Sequence, residues 1–436
     1  MGVKPRSTQK PHRARTPEAA PAGVAARQGA LYLLESVLVQ GQSLEGALPR
    51  ALRDVDVPAD RALARAIAAQ VLRWSVELDA LIDSATRQPL SADARARTVL
   101  RIALVQALTM DTPHHAVIAT ALPLVSGGPR RLVHGVLGHL LRSSAKLPDT
   151  PHLPEAFAEL LRSNWGEPWV EAARAALVGQ PPMDLQLRLG ASPPPQLEGI
   201  SLAPQHFRTA SGGRIEQWPG FAEGQWWVQD LAASLPARWL APAKGELVAD
   251  LCAAPGGKTL QLADMGAEVL AVDIAQRRLA RLKENLTRTG LTAEIITHDA
   301  TTWQPGRPLS HILLDAPCSA TGIFRRHPEI LHLAPTRELE RLTALQAKLL
   351  DHAFSLLPVG GRLVYCTCSL AKAEGEDQIA AFLARTPAAQ CLAPPQDLLP
   401  KGLAPTPQGY IRTLPGDLAE VGGIDSFFIA CLTRRA

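Results

Sequence analysis

The chain of 436 residues has few of the features that mark membrane, secreted or zinc-binding proteins. It contains no run of about 18 consecutive apolar residues, which excludes a helical membrane span. Its first ten residues lack the apolar core of a secretory signal. Six cysteines are too few for a disulfide framework in a chain of this size. The Cys-x-Cys pair at 366–368 lacks a second cysteine or histidine pair, so no metal site is expected, and a reduced cytoplasmic protein fits best.

Positively and negatively charged residues are nearly equal in number. Lys and Arg number 45 and Asp and Glu 41, which gives a formal net charge of +4. Five of the basic residues lie in the first 15 positions, where no acidic residue occurs. Residues 1–23 are therefore predicted to form a disordered basic tail, which either touches RNA or is simply solvated. The rest of the chain is close to neutral, so any nucleic-acid surface there is a local patch.

Helical periodicity dominates residues 24–146. Apolar residues recur at spacings of three and four, and Pro58 and the sequence Gly127-Gly128-Pro129 interrupt the runs. The pattern predicts an all-helical bundle without a cluster of chemically reactive side chains. Residues 147–180, which begin with several prolines, are predicted to be a helical connector.

The helical periodicity ends before residues 181–240, where the sequence pattern is different. Short β-like runs at 185–189 and 225–230 alternate with Pro and Gly turns, which predicts a small α+β domain. Aromatic residues make up only 4% of the chain, yet four lie close together here: Trp218, Phe221, Trp226 and Trp227. They could stack on bases or form the core of this domain, and the core is the favoured interpretation.

Strands and helices alternate over residues 241–436. Predicted strands lie at 247–252, 268–273, 294–299, 311–315, 361–367 and 426–432, and predicted helices include 275–288 and 338–357. Such alternation predicts a parallel sheet with helices on both faces, and a ligand beyond the carboxyl ends of the strands. The predicted fold class is thus multidomain α and α/β: a helical bundle, a small α+β middle domain and a Rossmann-like C-terminal sheet.

The first of these strands leads into a glycine-rich turn, Asp250-Leu-Cys-Ala-Ala-Pro-Gly-Gly-Lys-Thr259. Gly256 and Gly257 let a ligand approach the backbone closely. The turn has neither the Walker nor the GxGxxG spacing, which disfavours a triphosphate. The second strand ends in Asp273 and the third in His298-Asp299. Acids at these strand ends can bind the ribose hydroxyls and the base edge of an adenosyl ligand.

Two cysteines follow the next strands, in Asp315-Ala-Pro-Cys-Ser-Ala-Thr-Gly322 and Tyr365-Cys-Thr-Cys-Ser369. A role as a small buried hydrophobic residue suits Cys252, Cys391 and Cys431. It suits Cys318 and Cys368 poorly, because both lie at strand-to-loop edges beside Pro, Ser and Thr. A thiolate at such an edge can act as a nucleophile.

The segments DLCAAPGGKT, LLDAPCSATG, FRRHPEI and TCS resemble those of the RNA cytosine-5 methyltransferases of the Sun/Fmu family. The preceding helical region is similar to the antitermination factor NusB. Together they resemble the bacterial 16S ribosomal RNA (cytosine-C5)-methyltransferase B subfamily over nearly everything after residue 24. The resemblance implies S-adenosylmethionine as cofactor, an unstacked cytosine of 16S rRNA as substrate, a covalent cysteine–C6 adduct and a monomeric enzyme.

The resemblance also implies roles for individual residues. It makes Cys368 the nucleophile, gives Cys318 a part in product release, and places Asp315 against the cytosine and the methyl donor. The implied cofactor-binding residues are Cys252, Ala253, Ala254, Pro255, Gly256, Gly257, Lys258, Asp273, Arg278, Asp299 and Asp315. The residues implied to contact the RNA backbone are Arg325, Arg326 and His327.

Three features depart from the family pattern. Cys366 precedes the TCS triplet where Ala or Ser is more usual, which leaves a second candidate thiol. The family's Arg-Val-Asn in the middle domain appears as Leu187-Arg188-Leu189-Gly190. The C-terminal Asp-Gly-Phe-Phe appears as Asp425-Ser426-Phe427-Phe428.

Other functions stay open. In a DNA cytosine-5 methyltransferase, Cys318 would be the nucleophile, but the TCS cysteine and the helical RNA-type domain argue against it. A non-catalytic RNA-binding assembly factor would have no use for both cysteines and the strand-end acids. Another RNA, such as tRNA, is a further possible substrate.

Overall fold

The computed structural model describes residues 22–333 and 339–436, so nearly all of the predicted basic tail lies outside it. Within these ranges the chain forms fourteen α-helices and twelve strands. The chain divides into two compact units. The first contains the described residues up to Gln40, Glu45–Val71 and Leu78–Lys146; the second contains Gly41–Leu44, Leu72–Glu77 and Leu147–Ala436. No helix in the described ranges is long and apolar enough to span a membrane.

The N-terminal region is helical throughout, as predicted. Its helices α1 to α7 are Val24–Leu38, Leu44–Ala51, Pro58–Arg73, Ser75–Ser84, Arg95–Thr109, His114–Ala121 and Gly127–Arg142. Helix α5 is buried without interruption from Ala96 to Gln106 and packs against α1, α6 and α7. The bundle is therefore built around α5.

The main part of the second unit, Leu147–Ala436, begins with helices α8 (Glu155–Trp165) and α9 (Glu167–Ala176), followed by a small antiparallel sheet. Its strands are β1 (Met183–Leu187), β2 (Gly199–Ile200), β3 (His206–Thr209) and β4 (Trp226–Val228), in the order β2-β3-β1-β4. Strands β1 and β4 match the two predicted runs. Strands β2 and β3 were not predicted, because β2 has only two residues and His206 and Arg208 of β3 are polar residues that are buried beside Asp184.

The clustered aromatic residues belong to the core of the protein. Trp226 is fully buried with Leu185, Leu187 and Phe207, and Trp218 and Phe221 pack against this cluster. Trp227 is buried in a different cluster, together with two alanines of the glycine-rich turn. The interpretation as core residues is therefore correct for these side chains.

The remainder of the second unit is an eight-stranded mixed sheet with helices on both faces. The helices are α10 (Leu231–Leu240), α11 (Gly257–Asp264), α12 (Gln276–Thr289), α13 (Leu339–Leu356) and α14 (Glu376–Arg385). The strands are β5 (Leu247–Leu251), β6 (Glu268–Asp273), β7 (Glu294–Thr297), β8 (His311–Asp315), β9 (Arg362–Thr367), β10 (Ala389–Leu392), β11 (Ile411–Arg412) and β12 (Phe428–Arg434).

The order of this sheet is β10-β12-β9-β8-β5-β6-β7, with β11 paired to β12. The five strands from β5 to β9 are parallel, as predicted. Strand β12 is antiparallel to β9, so the prediction of a wholly parallel sheet is wrong at this edge. Asp315 at the end of β8 lies opposite Cys366 of β9. The glycine-rich turn, Asp273 and both cysteine segments therefore follow the carboxyl ends of neighbouring strands.

Candidate active site

The turn between β5 and α11 has a backbone that requires glycine. Gly256 has a φ of 107°, in the left-handed region that side chains disfavour. A Cβ atom at this position would come within 2.3 Å of Leu282 Cδ1. Helix α11 begins at Gly257, so the amide groups of its first turn are near the carboxyl edge of the sheet. The turn can therefore bring backbone donors close to a ligand.

Asp273 joins the end of β6 to this turn. Its carboxylate is buried and accepts hydrogen bonds from the amides of Ala254 at 3.1 Å and Ala275 at 2.7 Å. The exposed side chain of Arg278 contacts the same carboxylate at 3.1 Å. The structure thus brings together three of the residues predicted to bind the cofactor, with the charge of Asp273 held against the turn.

Asp250 is a buried carboxylate that was not among the predicted site residues. Its Oδ2 accepts a hydrogen bond from Thr259, but Oδ1 is buried without a partner among the residues that the structure describes. Burial raises its pKa to about 7. The signal in the sequence was a lone acid inside the apolar run LVADLC. An unsatisfied acceptor and the Asp273 carboxylate beside this turn fit S-adenosylmethionine, which carries hydroxyl donors and positive charge.

Asp299 lies apart from these buried carboxylates. It is exposed in the turn after β7, where it accepts hydrogen bonds from the amide and hydroxyl of Thr301 at 2.9 and 2.8 Å. These bonds lower its pKa. The amide of the preceding residue, His298, donates to the main-chain oxygen of Asp273. Contact between Asp299 and the cofactor stays a prediction.

An ion pair between a buried lysine and a partly exposed aspartate connects α11 to the end of β8. Lys258 Nζ lies 2.7 Å from Asp315 Oδ2, and Cys366 Sγ lies 3.3 Å from Asp315 Oδ1. Burial acts to lower the pKa of Lys258, but the Asp315 carboxylate outweighs this effect and the pKa is raised. Lys258 and Asp315 therefore present a fixed pair of opposite charges between the end of the glycine-rich turn and the start of the Pro-Cys loop.

Two thiols meet at the carboxyl edge of the sheet. Cys318 is in the loop after β8, and Cys368 directly follows β9, the neighbouring parallel strand. Their Sγ atoms are 3.5 Å apart, within hydrogen-bond distance. Both residues are partly exposed, whereas Cys366 is completely buried. The structure therefore favours Cys368 over Cys366 as a thiol that a substrate can reach.

The environments of the thiols distinguish them further. The hydrogen bond with Cys368, followed by burial, raises the pKa of the Cys318 thiol well above its usual value. Burial, followed by the Asp315 carboxylate, raises the pKa of Cys366 in the same way. A thiol that keeps its proton is a poor nucleophile. Cys318 is thus suited to donate a hydrogen bond to Cys368, which leaves Cys368 as the better candidate for attack.

Arg325 and Arg326 are engaged inside the protein. Arg325 is 5% exposed and donates to Asp230 at 2.8 Å and to Asp425 at 2.6 Å. Arg326 donates to Asp230 at 2.7 Å and lies 3.4 Å from Asp425. The burial of Arg325 contradicts its predicted contact with RNA, because its guanidinium already neutralises two buried carboxylates. RNA contacts of Arg326 and of the half-buried His327 stay predictions.

This combination of features defines a class of protein. A Rossmann-like sheet with a glycine-rich turn after its first strand, and an acid at the end of the second, is typical of an S-adenosylmethionine-dependent methyltransferase. The model of the 16S rRNA methyltransferase RsmB/F family matches residues 237–433, and that of the NusB family matches residues 24–142. The chain belongs to the RsmB/F methyltransferase family, and S-adenosylmethionine is its cofactor.

Individual relatives support this membership over almost the whole chain. The ribosomal RNA small subunit methyltransferase B of Pseudomonas syringae pv. tomato is 36% identical, covering 94% of this chain and 97% of the relative. That of Klebsiella pneumoniae is 35% identical, covering 94% and 98%. The crystal structure of NSun6 from Pyrococcus horikoshii with SFG covers 65% of this chain and 99% of its own, with a TM-score of 0.56. Its identity of 17% shows a shared fold alone.

The first testable prediction concerns Asp273 and the cofactor. We expect Asp273→Ala to weaken S-adenosylmethionine binding roughly ten- to a hundredfold, because hydrogen bonds to a charged group contribute about 1.5–3 kcal/mol. Isothermal titration calorimetry measures the change. Asp351→Asn, an exposed acid that pairs with Arg385 on the surface, is the control and should bind normally. Unchanged affinity in a folded Asp273→Ala variant would remove Asp273 from the cofactor site.

Proposed function

We propose that this enzyme transfers a methyl group from S-adenosylmethionine to C5 of a cytosine in 16S ribosomal RNA, through a covalent bond between Cys368 and C6. The observation that carries the proposal is the pair of thiols, 3.5 Å apart, at the carboxyl edge of the sheet that holds the cofactor turn. The names of the relatives, which act on small subunit ribosomal RNA, support the choice of substrate.

The chemistry explains why a thiol is needed. Cytosine C5 is too weak a nucleophile to accept a methyl group directly. When the Cys368 thiolate adds to C6, C5 becomes enamine-like and can react. S-adenosylmethionine supplies the methyl group as an electrophile. Cys318, once its own proton has passed to solvent, can act as the base that takes the proton from C5. The electron pair of that C–H bond forms the C5–C6 double bond and breaks the bond between sulfur and C6, which releases the Cys368 thiolate and the methylated base.

The neighbouring residues divide the remaining tasks. Asp315, held by Lys258, can accept a hydrogen bond from the exocyclic amine of the cytosine. The proposed holders of the cofactor are the turn at 252–258, Asp273 and the Asp250 carboxylate. Cys318 acts in release of the adduct, where a second thiol beside the first can exchange a proton. The target cytosine must be unstacked to reach these groups.

The helical N-terminal region has a separate part in the proposal. It matches the NusB family and, in the described residues, contributes no residue to the thiol and carboxylate cluster. We assign to it the docking of ribosomal RNA and thereby the choice of target. The enzyme would act in the cytoplasm, where 16S rRNA is found.

Bisulfite sequencing of 16S rRNA tests the substrate directly. RNA from cells that lack the gene should lose 5-methylcytosine at a defined position, and the wild-type gene should restore it. Complementation with Cys368→Ala should not. Retention of every 5-methylcytosine of 16S rRNA in the deletion strain, with loss of one from tRNA, would show that tRNA is the substrate.

A further inference from the structure

A buried glutamate lies behind the two thiols. Glu374 follows β9 in a short 3-10 turn and has no exposed surface. The nearby guanidinium of Arg412, which donates to the main-chain oxygen of Ser369, pairs with Glu376 instead. The Glu374 carboxylate is held by hydrogen-bond donors from three other segments. Burying a carboxylate costs more folding free energy than burying an apolar or amide side chain. A functional role for Glu374 would explain why a carboxylate is buried here.

Most donors to the Glu374 carboxylate belong to the residues that follow the two thiols. The amide of Ser319, next to Cys318, donates to Glu374 Oε1 at 2.9 Å, and the Ser319 hydroxyl donates to Oε2. The hydroxyl of Ser369, next to Cys368, donates to Oε2 as well. Gln346 of α13 completes the set, with Nε2 2.9 Å from Oε1. One carboxylate therefore bridges the two loops that carry the thiols.

The main chain of Glu374 is fixed to β9 independently of its side chain. Its carbonyl oxygen accepts hydrogen bonds from the hydroxyls of Tyr365 at 2.8 Å and Thr367 at 3.2 Å. The carboxylate thus extends from an anchored backbone, and the two serines are held to a rigid point.

We propose that Glu374 is a positioning residue for the two thiols, one that fixes the separation of Cys318 and Cys368 by holding the residue after each of them. The inference deepens the proposed function, on which its role in catalysis rests, but the geometric claim can be tested without RNA. Glu374 touches neither thiol in a hydrogen bond, so it acts through Ser319 and Ser369.

The charge of Glu374 has a second effect. The hydrogen bond to Cys368 and burial are the main causes of the raised pKa of Cys318, and the negative charge of Glu374 adds to them. A negative carboxylate close to Cys318 disfavours a second negative charge on its sulfur. The same residue that sets the distance therefore helps to keep Cys318 a neutral thiol.

Two substitutions distinguish the positioning effect of Glu374 from the effect of its negative charge. Glu374→Gln retains the bridge, because its oxygen can accept from the Ser319 amide and Gln346 while its NH2 group donates to the two serine hydroxyls, which can turn to accept. Glu374→Ala removes the bridge. Glu268→Gln, an exposed glutamate of the same sheet that pairs with Arg307, is the matched control.

The first measurement is oxidation of the cofactor-free full chain by diamide, which takes two electrons and two protons from a pair of thiols and leaves a disulfide. Mass spectrometry follows the Cys318–Cys368 disulfide over time. We expect Glu374→Ala to slow its formation about a hundredfold, since a displacement of about 1 Å at reacting groups can have that effect. Glu374→Gln should react near the wild-type rate, with its pH profile shifted to lower pH because Cys318 ionises more easily.

The second measurement is single-turnover methylation of 16S rRNA with adduct formation and release followed separately. Glu374→Ala should slow adduct formation about a hundredfold. Its affinity for S-adenosylmethionine, measured by calorimetry, should stay within about twofold of wild type, because the cofactor site is formed by other residues, among them Lys258 and Asp273. Glu374→Gln should recover most of the rate. This recovery, with unchanged cofactor affinity, distinguishes positioning from a general loss of structure.

Wild-type disulfide and methylation rates in a folded Glu374→Ala variant would overturn the proposal. If that variant does not fold, the Ser319→Ala/Ser369→Ala double variant decides, because it removes both hydroxyl bonds to the carboxylate: normal oxidation in it would equally overturn the proposal. A wild-type enzyme that oxidises as expected, but forms no adduct with any RNA, would refute the proposed function and leave the positioning role of Glu374 supported.

Discussion

Cys368→Ala is expected to abolish methyl transfer and to form no covalent complex with RNA, whereas Cys318→Ala should accumulate one. The difference follows from the timing proposed for the two thiols. Without the Cys368 thiolate nothing adds to C6, so the rate should fall by roughly four to six orders of magnitude, as when other enzymes lose their nucleophile. Without Cys318 the bond to C6 can still form, but its release is impaired.

Two assays measure this difference. Transfer of a radiolabelled methyl group from S-adenosylmethionine to 16S rRNA reports turnover, and a shifted band in denaturing electrophoresis reports the adduct. Cys431→Ala, which removes a completely buried cysteine of β12, is the control and should behave as wild type. Cys366→Ala should still form the adduct, because the Cys366 thiol is buried and bonded to Asp315.

The opposite pattern would reverse the assignment. If Cys318→Ala loses all covalent chemistry while Cys368→Ala traps RNA, Cys318 is the nucleophile, as in DNA cytosine-5 methyltransferases. If Cys366→Ala alone is inactive and folded, the nucleophile lies two residues before the position that the TCS triplet indicates. Each outcome gives a distinct set of bands in electrophoresis, so the roles of the three thiols can be distinguished.

The parallel strands could be predicted from sequence because each is an apolar run bounded by a turn or an acid. Strands β5 to β9 are all within two residues of their predicted ends. The strands β10 and β11 were missed because β11 has only two residues, and β10, with the sequence Ala-Gln-Cys-Leu, has no β-branched or aromatic residue. The antiparallel direction of β12 depends on how a long connection returns to the sheet, and local sequence does not encode that.

The thiol pair could be predicted only in part from the sequence. Cys318 and Cys368 could be placed at neighbouring strand ends, but a separation of 3.5 Å depends on contacts between distant segments. Glu374 could not be identified at all. It stands in the polar sequence Lys372-Ala-Glu-Gly-Glu-Asp377, which is typical of an exposed turn. Its burial arises because Ser319 and Gln346, 55 and 28 residues away, pack around it.

The second large effect is the loss of stability expected when Arg325 is replaced by alanine. We expect Arg325→Ala to lower the free energy of unfolding by about 3–5 kcal/mol, the usual result of removing one partner from a buried ion pair. The variant leaves Asp425 with Arg326 alone, and burial already raises the pKa of Asp425 to about 6. Arg307→Ala, which removes a surface partner of Glu268, should cost less than about 1 kcal/mol.

The pH dependence of this effect has a definite sign. Removing Arg325 disfavours the charged form of Asp425, so the folded-state pKa of this carboxyl rises further above its unfolded value. A raised carboxyl pKa means that stability is lost as pH rises through it, so the loss should be larger at pH 8 than at pH 5. Urea unfolding at both pH values measures it. A normally stable Arg325→Ala variant with weaker RNA binding and a smaller salt dependence would instead support a phosphate contact.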